Sequence, residues 1–135
     1  MTEYQTEENQ RLHPWSLTVR LEEKPLSANK MFTIKRHRTH AYNSYAKRWA
    51  EALEDHSLPE DIEDHSNMWF SVTITVGLSS SLADLDNCLK PTIDCLQAGL
   101  NFNDKRIIEL HAYRNAVSKG DEYVEVTLTQ TFKGA

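Results

Sequence analysis

The run Asp84-Leu85-Asp86-Asn87-Cys88-Leu89-Lys90-Pro91-Thr92-Ile93-Asp94, followed shortly by Asn103-Asp104-Lys105-Arg106-Ile107, gathers acids, a lysine and cap-forming residues around one short helix signal. On an extended backbone Asp84 and Asp86, two apart, send their side chains to the same side. Two adjacent carboxylates need a cation, and hard oxygen ligands suit Mg²⁺ or Mn²⁺. Lys90 follows Asp86 by four residues and shares its face on any helix that starts here. The Asp-x-Asp alone has a second explanation, because Asp and Asn also cap helices and complement their N-terminal dipole. Pro91 is unfavourable inside a helix, so either the regular helix begins at Pro91 or the turn from Asp86 to Lys90 is irregular. Leu89, Ile93, Leu96 and Leu100 form an apolar stripe, with Asp86, Lys90, Asp94 and Gln97 on a polar one, and Gly99 is the expected stop.

Upstream, Met68, Phe70, Val72, Ile74 and Val76 alternate with Trp69, Ser71, Thr73 and Thr75, the strongest strand pattern in the chain. Gly77 to Ala83 then reads as a loop that delivers Asp84. Nearer the N-terminus, Trp15, Leu17, Val19 and Leu21 mark a strand, Pro25 to Asn29 a turn, and Met31 to Ile34 a short strand. Thr39 caps a helix whose apolar face is Tyr42, Tyr45, Ala46, Trp49, Ala52 and Leu53. Glu54 to Asn67 reads as a surface connection, with one helical turn after Pro59. Downstream, a strand from Arg106 to Asn115 and a last strand with Val124, Val126, Leu128 and Phe132 inward flank a turn at Lys119-Gly120-Asp121, which predicts a hairpin. The expected fold is α+β, a small mixed β-sheet with two main helices packed on it.

The 135 residues suffice for one domain, expected over 13–135 after a flexible N-terminus at 1–12. No apolar run reaches the length of a membrane span, and the N-terminus reads unlike a signal peptide, so a cytoplasmic location is expected. Cys88 and Cys95, about 10 Å apart on a helix, read as small core residues. The net charge of −5 argues against a nucleic-acid partner until its distribution is considered. From Lys30 to Arg48 the chain has Lys30, Lys35, Arg36, Arg38, Lys47 and Arg48 and no acid, whereas Glu51 to Asp64 has only acids among its charged residues. The basic segment could follow a phosphate backbone, or the two blocks could partly neutralise each other. His37 and His40 lack the further ligands of a zinc site.

The pattern D-L-D-N-x-x-K-P-x-x-D-x-L, an apolar Gly-containing segment and then N-D-K-R-I before a strand resembles the RusA family of Holliday junction resolvases. Ser27-Ala28-Asn29 is similar to that family's S-x-N turn. The resemblance implies a homodimer, a four-way DNA junction as substrate, and a DNA recombination and repair role in a bacterial or phage-infected cell. It implies Mg²⁺ (or Mn²⁺) held by Asp84, Asp86 and Asp104, and Lys90 at the scissile phosphate. Asn87 would support the site or cap the helix, Asp94 would support the site or pair with Lys90 at i, i+4, and the six basic residues from Lys30 to Arg48 would bind the DNA backbone. The family's acidic pair is here Asn103-Asp104, and Asp104 aligns with its second member because the strand follows directly. Two other readings use the same residues: a non-catalytic DNA-binding homologue, in which the acids only cap, and a small metal-dependent phosphohydrolase.

Overall fold

The computed structural model describes residues 15–58 and 69–131. The expected flexible N-terminus, the turn after Pro59, most of the acidic block and Phe132 lie outside these residues.

Strand β1, Ser16–Leu21, is followed by a 3-10 turn at Ala28–Lys30 and helix α1, His40–Leu53. Strand β2, Trp69–Leu78, precedes helix α2, Leu89–Leu100, and strands β3, Ile107–Ala116, and β4, Tyr123–Thr131, complete the described chain. The alternation in β2 decides its role: Phe70, Val72, Ile74 and Val76 are fully buried, while Ser71, Thr73 and Thr75 on the other face are half-buried. Gly77 and Leu78, expected in the following loop, belong to this strand because they still pair with Tyr123, Asn115 and Ala116.

The four-stranded sheet has the order β1-β4-β2-β3. The expected β3–β4 hairpin does not form. Strand β3 runs parallel to β2, with Val72 opposite Leu110 and Leu78 opposite Ala116, whereas β4 is antiparallel to both β2 and β1. The physical reason is the helix between β2 and β3, which returns the chain for a parallel pairing. The chain then crosses over the end of β2, where Val117 N–H donates to the Leu78 carbonyl, and enters on the strand's other side. Gly120, with φ 97°, makes the left-handed turn on this crossing.

Both helices lie on the apolar face of the sheet, where Tyr45, Trp49, Leu53, Leu96 and Leu100 join Phe70, Val72, Val126 and Leu128 in one core. Helix α1 begins where Thr39 Oγ1 accepts from Tyr42 N–H at 3.0 Å, an N-cap worth about 1 kcal/mol. Pro91 lies in the first turn of α2, where no intrahelical N–H bond is lost, and a 3-10 turn at Asp86–Cys88 precedes it. Of the two openings the sequence allows, the irregular one is therefore found. Thr92, Cys95, Leu96 and Leu100 form the buried face, with Leu89 and Ile93 only half-buried. Gly99 does not stop the helix. Asn101, at φ 56°, does, and Gly99 makes room for Leu53 of α1.

The helices are tied by the Tyr45 hydroxyl, 2.8 Å from Thr92 Oγ1, while Thr92 donates to the Cys88 carbonyl at 3.0 Å. Burial pushes the Tyr45 phenol up to about 12 and the Cys95 thiol up to about 11, from ordinary values of 10.0 and 9.0. The unfolded chain releases these protons first, so the stabilisation is complete below pH 9 and is lost as pH rises through 11 to 12. Urea midpoints are accordingly expected to be level from pH 7 to 9, as regards these groups, and to fall above that range.

At the end of β2 the Tyr123 ring lies directly over Gly77, and the Arg20 guanidinium sits 3.8 Å from that ring's centroid. A methyl group at Gly77 would occupy the space of the ring. Gly77→Ala is expected to cost about 1–3 kcal/mol, read as a lower urea midpoint at unchanged slope.

Candidate active site

The loop after β2 is fastened from β3. Arg114 donates to the Ala83 carbonyl and, at 2.5 Å, to the Ser80 carbonyl, fixing the two residues that lead into Asp84. Ser79 donates to Glu122 at 2.8 Å, and this bond, with backbone hydrogen bonds, holds the Glu122 carboxyl below its ordinary range. The exposed strand context of Arg114 gave no signal in the sequence, because its partners are backbone carbonyls brought close only by the parallel pairing of β2 and β3.

Asp84 and Asp86 are exposed at the end of this loop. Leu85 between them is helical, φ −59° and ψ −45°, so the extended backbone that would send both carboxylates to one side is absent. Asn87 does not cap the turn: its amide donates to Asp84 Oδ2 at 3.4 Å and so supports that carboxylate. Asp104 opens a separate 3-10 turn, Asp104–Arg106, where Asn103 Oδ1 accepts from Lys105 N–H at 2.9 Å. Asn103 is thus engaged as a cap, and Asp104 is the exposed carboxylate before β3. Asp84 and Asp104 line different clefts, the second a shallow one shared with Ile93, Ile107, Ile108 and Leu110.

Among the described residues, no three or more His, Cys, Asp or Glu are grouped closely enough to hold a metal ion. Asp84, Asp86 and Asp104 are therefore not gathered as a ligand triad, nor are His37 and His40 part of a zinc cluster. None of the three aspartates is in an ion pair with a described residue. Exposed, uncompensated carboxylate oxygens fit a hard divalent ion in kind. Mg²⁺ is commonly held through one or two carboxylates, with water and substrate phosphate completing its shell. The donor set fits that mode rather than a closed protein cage.

On α2, Lys90 Nζ is 2.8 Å from Asp94 Oδ1, and Arg38 Nη2 is 3.6 Å from Asp94 Oδ2. Asp94 is only 11% exposed, so one sheltered carboxylate holds two cations. Arg38 also lies 4.6 Å from the Phe32 ring centroid and 4.3 Å from that of Tyr42. The expected strand at Met31 to Ile34 is reduced to a bridge between Phe32 and Arg38, which closes a tight loop with Arg36 at φ 64°. Ile34, Lys35 and Arg36 form its exposed tip. Arg38 therefore fastens this basic loop to the helix that presents Lys90.

The remaining basic residues divide. Arg48 is neutralised by Glu23 at 2.6 Å, whereas Lys30, Lys35, Arg36 and Lys47 have no ion-pair partner among the described residues. Lys24 and Lys30 line a cleft of about 350 Å³ together with Asp84 and Asn87. Lys24 escaped the sequence reading because it precedes the basic run and follows two acids. Helix lengths and hydropathy give no membrane span among the described residues.

No match is found among curated proteins. The protein-family model described as endodeoxyribonuclease RusA matches residues 22–129, which contain both helices, all of β2 and β3, and every aspartate and lysine of the candidate site. The chain belongs to the RusA endodeoxyribonuclease family.

Proposed function

We propose that this protein is a Mg²⁺-dependent endonuclease that resolves four-way DNA junctions by phosphodiester hydrolysis, in recombination and repair within the cytoplasm. The observation that supports this best is the placement of Lys90, with Asp84 and Asp86 just ahead of it, on the helix to which the basic loop is fastened through Arg38 and Asp94. Asp84 and Asp86 would hold Mg²⁺ or Mn²⁺, with Asp104 as a further ligand. A bound ion of this kind lowers the pKa of its water and neutralises charge on the attacked phosphate. Lys90 donates to the scissile phosphate as negative charge builds on it, and Asp94 keeps that lysine near the site. Asn87 orients Asp84. Lys30, Lys35, Arg36 and Lys47 neutralise backbone phosphates, and Arg38 and Arg48 join them when their carboxylate partners release them.

The separation of the three aspartates favours one other reading, a DNA-binding homologue that does not cut. A pure binder binds junction DNA equally in EDTA and in Mg²⁺ and cuts in neither, whereas the nuclease cuts only with the metal. The phosphohydrolase reading gains nothing from the fold, since a haloacid-dehalogenase-type enzyme has a much larger α/β body.

We also propose that the protein is a homodimer joined at β3. By register, Leu110 faces the same side of the sheet as Val72, yet it is 45% exposed, and Ile108 and Tyr113 are exposed at 41% and 57%. This apolar edge strand is only partly covered, by Ile93 of α2. Light scattering is expected to give twice the chain mass for the wild type and the single-chain mass for Leu110→Lys, with α-helical circular dichroism unchanged. A monomeric wild type at micromolar concentration would remove the dimer from the account.

A further inference from the structure

We propose that the cleft between the Lys24–Lys30 turn and the Asp84–Asn87 turn seats a backbone phosphate of the DNA strand next to the one that is cut. This inference rests on the nuclease reading and assigns that reading a second phosphate position. One wall of the cleft is Lys24, Ser27, Asn29 and Lys30, and the other includes Asp84 and Asn87. The turn is built to hold its shape: Ser27 Oγ accepts from Asn29 N–H at 3.2 Å, Lys30 N–H donates to the Ser27 carbonyl at 2.9 Å, and the Thr39 hydroxyl donates to the Lys30 carbonyl. Both lysine ammonium groups lack an ion-pair partner among the described residues, and the Asn29 carboxamide makes no hydrogen bond with them.

The charges on the two walls select the ligand. Asp84 repels a bare anion from its own side, so a phosphate entering the cleft is directed to the lysines. The chain continues from Lys30 into the loop whose exposed tip is Ile34, Lys35 and Arg36, so the cationic surface is extended instead of closed. An extended polyanion, the phosphodiester backbone of a DNA strand, matches that layout better than an isolated phosphate ion.

The test removes the phosphate charge and the lysine charges separately and together. Four-way junctions are made with a single uncharged methylphosphonate in place of the phosphate on either side of the mapped cut. Binding is measured by fluorescence anisotropy in EDTA, so that no cutting intervenes, for wild type, Lys24→Ala/Lys30→Ala and Lys24→Arg/Lys30→Arg. One of the two neutral linkages is expected to weaken wild-type and Arg-variant binding about tenfold and the Ala variant less than about twofold. The proposal is overturned if neither linkage weakens the wild type, or if the phosphate and lysine losses multiply. A wild type that fails to cut the junction in Mg²⁺ overturns the nuclease reading and this inference with it. A wild type that cuts, with losses that multiply, overturns the subsite alone.

Discussion

Asp86→Asn is expected to lower junction cleavage by about a thousandfold or more while junction affinity in EDTA stays within about twofold of wild type. The substitution keeps the size of the side chain and removes only its charge and one anionic oxygen. Asp86 is exposed on a 3-10 turn and makes no ion pair with a described residue, so the fold has no visible need for its carboxylate. The urea midpoint is expected to move little. Asp84→Asn should behave in the same way, with the added loss of a well-defined acceptor for Asn87. The comparison with Asp104→Asn is informative because Asp104 lines a different cleft. A loss as large as that of Asp86→Asn would mean that Asp104 joins the other two when DNA and metal bind. A loss below about tenfold would leave Asp84 and Asp86 as the only essential anchors.

Lys90→Ala is expected to reduce the turnover rate about a hundredfold to a thousandfold, the scale of removing one donor from a developing negative charge. Asp94 is expected to act through Lys90 as a positioning residue. Its carboxylate holds the ammonium at 2.8 Å, and its second oxygen faces Arg38 between the Phe32 and Tyr42 rings. Asp94→Asn should therefore cost about tenfold in turnover with little change in the Michaelis constant. In the Lys90→Ala background the same substitution should cost less than about twofold. Multiplied losses in the double variant would mean that Asp94 acts independently, as a ligand or through the loop at 32–38. Arg38→Lys tests that loop separately: the charge is kept but the flat stacking on two rings is lost, so DNA affinity should fall more than turnover.

How much of this was legible in the sequence follows from how local each signal is. Strand β2 and helix α1 were readable because alternating Phe70, Val72, Ile74 and Val76, and the helical spacing of Tyr42, Tyr45, Trp49 and Leu53, record burial directly. The Thr39 cap was readable because a hydroxyl residue stands just ahead of that helical spacing. The partner of β3 was not, since a turn containing Gly120 suits a hairpin and a crossing over the end of β2 equally well, and only the parallel return through α2 distinguishes them. The stop of α2 was misassigned because Gly99 meets two needs that look alike in sequence, and here it serves packing against Leu53 while Asn101 supplies the left-handed residue.

At the site, the pairing of Lys90 with Asp94 was legible from their spacing of four on a helix. The Arg38 contact, the Arg114 clamp and the place of Lys24 depend on residues far apart in the chain and had no local signature. The same limit applies to Asp84 and Asp86. Their spacing suggested a shared face on an extended backbone, but Leu85 between them is helical, a backbone choice that alternation of side chains does not reveal.

The most direct test of the central claim is cleavage of a synthetic four-way junction beside a linear duplex of the same sequence, with Mg²⁺, with Mn²⁺ and with EDTA. Paired, symmetric cuts are expected in the junction, with none in the duplex and none in EDTA. A protein that binds the junction equally well in all three conditions and cuts it in none would contradict that claim.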